Sequence, residues 1–408
     1  MTQPNKNIPA TGPSHCNSCR GNNLEHVFSN LNRPSPRFTD QPTKVLICRD
    51  CGLVSLDMRK LRADDLGTYY STFNHFEQPG QLVEEHRPLR EGQVQWILDR
   101  VSHNRVRGTA LDIGCGAGYV LYLLNEAGYT VNGVDYSPAM IRHLQTLYQF
   151  EGFQGAFSQA LVKNRTYDLI TSFKVLEHLM DPSGAVSDMA ACLNDEGYLV
   201  IEVPDSESPK PDQLPDFFAF DHLFHFTRTT LGAILERYGF SIIDSEQFDY
   251  DISSGTPGPA FRILAQKTGA ASEMFIHHNE YSSQHERMQT YKRNHDSYVA
   301  GFQTKINAIA RRVGNAPVAI YCGGEHTAEL LTRLDLSGLD IACIFDGDPA
   351  LSGRMIDGIP IRHRDEIPIS NLTHFLLSTT NHEESIYRTL KQMDRSYRVF
   401  GLYQKFDE

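Results

Sequence analysis

Between residues 109 and 204, short apolar runs alternate with segments whose apolar residues recur at helical spacing. One run ends at residue 113, the next closes at residue 135, and residues 167–179 and 197–204 form two more. Between the last two, Asp181-Pro182 has the residue types of a helix N-cap and first turn, and predicts a helix to about Leu193. Strands alternating with helices predict an α/β fold with a mostly parallel sheet, whose ligands bind at the carboxyl ends of the strands.

The first strand-to-helix turn of this pattern carries the clearest chemical signal. Glycine occupies alternate positions, Gly114, Gly116 and Gly118, directly after an apolar run, and the next apolar run closes on Asp135. Glycine in such a turn lets backbone N–H groups approach a ligand closely. An acidic residue at the end of the following strand is placed to bind two ribose hydroxyls. The pattern therefore predicts a nucleoside-binding site.

The spacing of the glycines indicates which nucleoside. Dinucleotide sites favour G-x-G-x-x-G, whereas the order here is Asp112-x-Gly114-x-Gly116-x-Gly118. A carboxylate just before the loop suits a ligand that carries an ammonium group and no pyrophosphate, as S-adenosylmethionine does. The stretch resembles motif I of the class I S-adenosylmethionine-dependent methyltransferases, a resemblance that extends over residues 85–267. We expect the cofactor-binding residues to be Asp112, Gly114, Gly116, Gly118, Asp135 and Phe173.

Two cysteine pairs precede this region. Cys16-x-x-Cys19 and Cys48-x-x-Cys51 are separated by 28 residues, and each pair lies in a turn-forming context. Four thiolates with this spacing predict a closed tetrahedral Zn²⁺ site of the ribbon type, which leaves no open position and is therefore structural. Zinc ribbons also occur in nucleic-acid-binding proteins, but residues 1–60 carry only eight Lys/Arg against four Asp/Glu, spread along the segment.

The strand–glycine–helix–strand–acid order occurs a second time near the C-terminus. A polar helix is predicted over Ser283–Gly314, followed by an apolar run, Gly323-Gly324, a helix over Glu325–Leu334 and a run ending at Asp346. Further strands are predicted within residues 373–380 and 397–403. We therefore expect three domains: a zinc ribbon at 1–62, a methyltransferase domain at 63–282 and a smaller Rossmann-like, substrate-binding domain at 283–408. Gly323-Gly324 lacks the three-glycine dinucleotide signature, so docking and substrate binding are the favoured roles.

Composition narrows the class of protein. The chain has 408 residues, of which 40% are hydrophobic and 22% charged, which is typical of a globular protein. The formal net charge of −12 argues against nucleic acid as a partner. No apolar stretch approaches the roughly 20 residues of a membrane span, and the start of the chain is polar. We expect a cytoplasmic protein with no membrane partner, and eight cysteines that serve as thiols or metal ligands.

The order of ribbon, methyltransferase core and C-terminal domain resembles the nucleotide-deoxysugar C-methyltransferases. The resemblance covers most of the chain and includes the segment 344–353. It implies removal of a proton beside the keto group of a nucleotide-linked sugar, followed by methylation of the carbanion or enolate. It also implies catalytic roles for His178, Asp221 and His222. The family's Tyr-x-Glu-His run reads Ala219-Phe220-Asp221-His222 here, so the tyrosine is missing and the glutamate has become aspartate.

Histidine chemistry agrees with that implication. Methyl transfer from a sulfonium requires an acceptor in line and the management of one proton, and imidazole is the natural base near neutral pH. We expect His222, beside Asp221, to be the base, and we place His225 and His178 in the same catalytic set. His225 between two phenylalanines also suits a core histidine. The alternatives to C-methylation are O- or N-methylation of another small metabolite, or an inactive methyltransferase-fold binding module.

Overall fold

The computed structural model describes residues 15–30, 43–59, 61, 79–101, 108–214, 217–218, 222–250, 258–269, 279–380 and 382–406. These residues form two compact units. Unit 1 comprises the described residues of 1–30, 34–210 and 220–289, and unit 2 those of 211–219 and 290–408. The described residues of the predicted ribbon segment belong to unit 1, together with those of the predicted methyltransferase domain. The last stretch of unit 2 begins at residue 290, and the predicted C-terminal domain begins at residue 283.

The elements of unit 1 follow the predicted alternation. Its strands are β1 (Leu24–Asn30), β2 (Thr43–Cys48), β3 (Val54–Leu56), β4 (Thr109–Ile113), β5 (Thr130–Asp135), β6 (Glu151–Gln154), β7 (Tyr167–Phe173), β8 (Leu193–Pro204), β9 (Phe224–His225), β10 (Phe240–Tyr250) and β11 (Gly258–Lys267). Its helices are α1 (Pro79–Arg100), α2 (Tyr119–Glu126), α3 (Pro138–His143), α4 (Pro182–Ala191) and α5 (Arg228–Arg237). Helix α6 (Tyr281–Val313) begins in unit 1.

Seven strands of unit 1 form one sheet in the order β10-β11-β8-β7-β4-β5-β6. Strands β8, β7, β4, β5 and β6 are parallel neighbours, whereas β11 is antiparallel to both β8 and β10. The core on one side of the sheet joins α1 and α2 to the strands through buried residues such as Ile97, Leu121 and Leu124. Because the central strands are parallel, the residues that follow β4, β5 and β7 meet at one edge of the sheet.

Local capping fixes where the helices begin. The Asp181 carboxylate accepts a hydrogen bond from the Gly184 N–H at 2.9 Å, and Pro182 occupies the first helical position of α4. Helix α5 begins with a capping box between Thr227 and Thr230. The start of α4 agrees with the predicted cap at Asp181-Pro182, and the helix ends at Ala191, close to the predicted Leu193.

A second sheet of unit 1 joins the cysteine-rich segment to strand β9, which follows the last parallel strand of the first sheet. Its order is β1-β2-β3-β9, with β3 and β9 paired through Val54 and His225 and through Ser55 and Phe224. The sequence did not predict this sheet, because β9 has only two residues and lies 168 positions after the end of β3. Its pairing depends on long-range packing and not on local periodicity.

Unit 2 contains a six-stranded sheet in the order β14-β15-β13-β12-β16-β17, parallel except for β14. The strands are β12 (Pro317–Tyr321), β13 (Asp340–Asp346), β14 (Met355–Ile356), β15 (Ile359–His363), β16 (His374–Leu377) and β17 (Arg398–Phe400), with helices α7 (Glu325–Arg333) and α8 (Glu383–Met393). The strands and helix predicted beyond residue 316 are all present. None of the helices in the described ranges is both long and apolar enough to span a membrane.

Candidate active site

The glycine-rich loop between β4 and α2 has the geometry that its sequence predicts. Gly116 and Gly118 have φ angles of +50° and +83°, which residues with a Cβ atom rarely adopt. The Gly114 and Cys115 N–H groups donate to the Val134 carbonyl at 2.8 and 3.0 Å, which ties the loop to the neighbouring strand β5. Gly116 has no other heavy atom within 4 Å of the position a Cβ would take, because it faces open space.

Asp135 ends β5 directly beside this loop. Its Oδ2 accepts a hydrogen bond from the Gly116 N–H at 2.9 Å, and its Oδ1 accepts one from the Ser137 N–H at 2.8 Å. Burial raises the pKa of Asp135, while these two backbone donors act in the opposite direction. Each carboxylate oxygen keeps a further acceptor site, so the group can still bind two hydroxyls.

Asp112 is the most strongly perturbed carboxyl group of the loop region. It is 2% exposed, and burial raises its pKa to about 7. The Thr171 hydroxyl donates to its Oδ1 at 2.7 Å, and the positive charge of Arg90 favours the ionised form, whereas the charge of Asp135 opposes it. A cationic ligand group would stabilise both carboxylates, since each is otherwise held in a poorly solvated site.

One cavity of about 550 Å³ adjoins both acids. All six predicted cofactor residues except Gly118 line it. Gly118 instead packs closely against Leu144. A Cβ atom at Gly118 would lie only 2.5 Å from Leu144 Cδ1. Other lining residues are His86, Arg90, Tyr136, Phe157, Ser158, Lys174, His178, Met180, Asp181, Asp188 and Tyr238. A space of this size, bounded by carboxylates and apolar side chains, suits a nucleoside ligand.

Of the predicted histidines, His178 lines the cavity, and His222 lies beside His178. His178 lines the cavity at the end of a single 3₁₀ turn, Leu176–His178, that follows β7. The His222 ring lies 4.9 Å from the His178 ring, centroid to centroid, at an angle of 64°. The structure thus brings together two residues that are 44 positions apart. Asp221 lies outside the described residues.

His225 has a different environment. It is 1% exposed on β9, and its ring centroid lies 6.3 Å from that of His222. Burial, followed by the charge of His222, holds the pKa of His225 well below its usual range. The His225 imidazole is therefore neutral and enclosed, and its surroundings are those of a core residue. It nevertheless lies next to His222, the candidate base.

Three residues of this site were not predicted from the sequence. Arg90 reaches the cavity from α1, where its charge acts on Asp112. Lys174 lines the cavity with a φ of +59°, and Glu177 is completely buried beside His178. The only sequence signal for Lys174 and Glu177 is their place after β7, where ligand-contacting residues are expected. Arg90 has no such signal, because the cavity-facing side of a helix depends on its tertiary packing.

Two groups of side chains among the described residues have metal-binding geometry. In the first, Cys16 Sγ lies 3.5 Å from Cys51 Sγ, and Cys19 Sγ lies 3.4 Å from Cys48 Sγ, with all four sulfurs within 4.8 Å of one another. Thiolates bound to one tetrahedral Zn²⁺ lie about 3.8 Å apart, given Zn–S bonds of about 2.3 Å. The four cysteines therefore fit the predicted zinc site.

The second group consists of Glu177, His178 and His222, whose ligand atoms also lie within 4.8 Å of one another. The Glu177 carboxylate lies 4.0 Å from His178 Nε2. A carboxylate beside two imidazoles can orient a histidine base and stabilise its protonated form. The same three groups could also supply a divalent cation with one oxygen and two nitrogen ligands.

Comparison with known proteins identifies the central part of unit 1. Residues 85–245 match the family model described as a methyltransferase domain. A probable S-adenosylmethionine-dependent methyltransferase of Mycolicibacterium smegmatis is 27% identical over 168 residues, which are 41% of this chain and 64% of that protein. The ubiquinone biosynthesis O-methyltransferase of Pseudomonas fluorescens is 33% identical over 106 residues, 24% of this chain and 43% of that protein. The chain thus spans less than two thirds of the length of these relatives.

The solved structures to which the backbone of this chain is similar include two methyltransferases. Magnesium protoporphyrin IX methyltransferase from Synechocystis, with bound S-adenosylmethionine, has 18% identity and a TM-score of 0.38, over 50% of this chain and 95% of that one. A methyltransferase from Archaeoglobus fulgidus has 22% identity and a TM-score of 0.37, over 46% of this chain and 100% of that one. Residues 85–245 of this chain thus match a methyltransferase domain, and both of the relatives described above are methyltransferases by name.

Proposed function

We propose that the chain transfers a methyl group from S-adenosylmethionine, bound in the 550 Å³ cavity, to a small-molecule acceptor. The ribose hydroxyls bind Asp135, the backbone of Gly116 approaches the ligand, and Asp112 receives the cationic methionine portion. The observation that carries the proposal is the pair of carboxylates, Asp112 buried and Asp135 half-buried, on either side of a loop whose glycines have positive φ angles. A sulfonium cofactor with an ammonium group brings further positive charge to these two carboxylates, in addition to that of Arg90.

Removal of Asp135 tests the cofactor site. Asp135→Ala should weaken S-adenosylmethionine binding by about 1.5–3 kcal/mol, the range for a lost hydrogen bond to a charged group. Unit 2 offers a matched control: Asp346 accepts the Gly323 N–H at 2.6 Å and the Asp348 N–H at 2.8 Å, in the same arrangement as Asp135. Asp346→Ala should leave the affinity unchanged, as measured by calorimetry. Equal affinities of wild type and Asp135→Ala would refute the proposed ribose contact.

For the acceptor, we propose a nucleotide-linked keto-deoxysugar that is methylated on carbon. His222 removes the proton beside the keto group, and the resulting carbanion or enolate attacks the methyl carbon as the C–S bond breaks, releasing S-adenosylhomocysteine. The closeness of the His222 and His178 rings at the cavity edge supports this role. Asp221 is proposed to orient His222. Unit 2 is proposed to help bind the sugar nucleotide.

A panel of nucleotide 4-keto sugars tests the acceptor. Incubation with labelled S-adenosylmethionine should transfer label to carbon, and the sugar's α-proton should exchange with deuterated solvent in the presence of the enzyme. Product formation without an exchangeable α-proton would instead indicate O- or N-methylation. The similarity to ubiquinone biosynthesis O-methyltransferases over 106 residues supports O-methylation as the second candidate.

A further inference from the structure

A second cavity of unit 1 lies at the cysteine-rich segment and has no role in the proposed methyl transfer. Its volume is about 430 Å³, and it is lined by His15, Asn17, Arg20, Asn22, Asp181, Ser183, Gly184 and Tyr238. Asp181, Gly184 and Tyr238 also line the cofactor cavity, so the two spaces adjoin at the start of α4 and at Tyr238.

The first cysteine turn is fixed rigidly at this junction. The Asn17 side-chain oxygen accepts the Ser183 N–H of α4 at 2.7 Å, and the buried Ser18 hydroxyl donates to the Thr230 carbonyl of α5 at 3.3 Å. Helices α4 and α5 therefore both hold this turn in place. Arg20 follows directly, with a φ of +61°, so its direction is set by this anchored turn.

Two arginines lie in or near the second cavity. Arg20 lines it and is exposed, and its guanidinium donates to the Tyr238 hydroxyl at 3.4 Å. Arg237 lies close enough that the charge of Arg20 lowers its pKa, although burial is the larger cause. The one carboxylate of the lining, Asp181, accepts the Gly184 N–H as the cap of α4. The Arg20 guanidinium is therefore the cationic group of the lining that an anion would meet.

We propose that this second cavity binds a phosphate or pyrophosphate group of the methyl acceptor, and that Arg20 is its principal ligand. The planar guanidinium can bind two phosphate oxygens at once, and the polar side chains of Asn22 and His15 line the same space. The reacting end of the acceptor then extends past Tyr238 towards the cofactor cavity. This inference rests on the proposed function only in identifying the anion as part of the acceptor.

The inference also assigns a role to the cysteine-rich segment. Its first turn presents Arg20 to the substrate, and the cysteine cluster holds that turn in shape. A metal-stabilised segment in contact with the core thereby contributes to substrate selection without binding nucleic acid. The residues concerned all belong to unit 1.

Calorimetry with inorganic pyrophosphate tests the site directly in the full-length protein. Wild type should bind pyrophosphate, and Arg20→Asn should lower the affinity roughly 10–100-fold, as expected for the loss of a charged hydrogen-bond donor. Asparagine tolerates a positive φ, so the variant should fold, and its cysteine-bound zinc should be measured as a check. Arg20→Lys should bind with intermediate affinity, since it keeps the charge and loses the planar pair of donors.

Arg49 provides the matched control. It follows Cys48 as Arg20 follows Cys19, but it pairs with Glu25 at 2.9 Å and does not line the cavity. Arg49→Asn should leave pyrophosphate affinity unchanged. Absence of binding by wild type, equal affinity of wild type and Arg20→Asn, or an equal loss in Arg49→Asn would overturn the inference.

Parallel measurements separate this inference from the proposed function. Arg20→Asn should retain the wild-type affinity for S-adenosylmethionine and raise the KM for a phosphorylated acceptor with little change in kcat. Methyl transfer by a wild type that binds no pyrophosphate would overturn this inference alone. Pyrophosphate binding that depends on Arg20, in a protein that binds no S-adenosylmethionine, would support the anion site while refuting the proposed methyl transfer.

Discussion

At the residue scale, burial of the Asp112 carboxyl group lowers the stability of the folded protein at neutral pH, while the same group is proposed to bind the cofactor. Its pKa in the folded chain is about 7, against an ordinary value of 3.8, because burial disfavours the charged form. The folded state therefore binds a proton that the unfolded state has lost between these pH values. Stability falls as pH rises from about 4 to 7, by up to roughly 4 kcal/mol above pH 7.

Replacement by asparagine should remove this cost. Asp112→Asn should unfold at higher denaturant concentration than wild type above pH 7, and the difference should vanish near pH 4. The same variant should bind S-adenosylmethionine more weakly, and wild-type affinity should fall as pH drops below about 7. Asp168→Asn, at the opposite end of the neighbouring strand β7, serves as the control. A pH-independent difference between Asp112→Asn and wild type would show that the carboxyl group does not titrate as described.

His222 is the residue on which the proposed chemistry depends. His222→Asn should lose roughly 10²–10⁴-fold in turnover, the usual contribution of a positioned base, while it still binds S-adenosylmethionine. It should also stop exchanging the α-proton of a keto-sugar acceptor with solvent. His225→Asn should instead reduce stability, because His225 is enclosed in the sheet that contains β9.

Two results would reassign the role of His222. Exchange that persists in His222→Asn but disappears in His178→Asn would make His178 the base. Activity that is lost on chelation and restored by Mn²⁺ or Co²⁺, with the zinc of the cysteine cluster retained, would assign Glu177, His178 and His222 to a divalent cation.

At the scale of elements, two glycines of the same loop should have different roles: Gly118 in stability and Gly116 in cofactor binding. The Cβ position at Gly118 lies 2.5 Å from Leu144 Cδ1, whereas the position at Gly116 is open and faces the cofactor cavity. Gly118→Ala should therefore lower the free energy of unfolding through steric conflict and a strained φ. Gly116→Val should chiefly block S-adenosylmethionine. Thermal unfolding and calorimetry of both variants check this difference, and Gly92→Ala, on α1 with an open Cβ position, is the control.

At the scale of the whole molecule, the cysteine cluster should stabilise more than its own segment. Strand β3 pairs with β9, and β9 begins two residues after His222. If the cluster binds zinc, the protein should contain one equivalent, and Cys48→Ser should lower both the metal content and the stability of unit 1. Turnover should then fall because His222 is displaced. Cys322→Ser, outside the cluster, should keep the metal. Protein purified without chelator that lacks stoichiometric zinc would contradict the prediction.

The sequence by itself determined the features that depend on local order. Apolar runs, glycines and a terminal acid specify the β4–loop–α2–β5 unit, since strand, turn and helix preferences act over a few residues. The cysteine spacing likewise predicted a cluster whose four sulfurs do converge, while its occupation by zinc stays a prediction. The cap of α4 at Asp181 was predictable for the same local reason.

Only the tertiary structure decided which distant residues meet. It placed His222 beside His178, Arg90 near Asp112, and the Cys16–Arg20 turn against α4 and α5. It also paired β3 with β9 and so placed the described cysteine-rich segment in unit 1. These contacts follow from the summed packing of many side chains across the chain, and no local pattern encodes that sum.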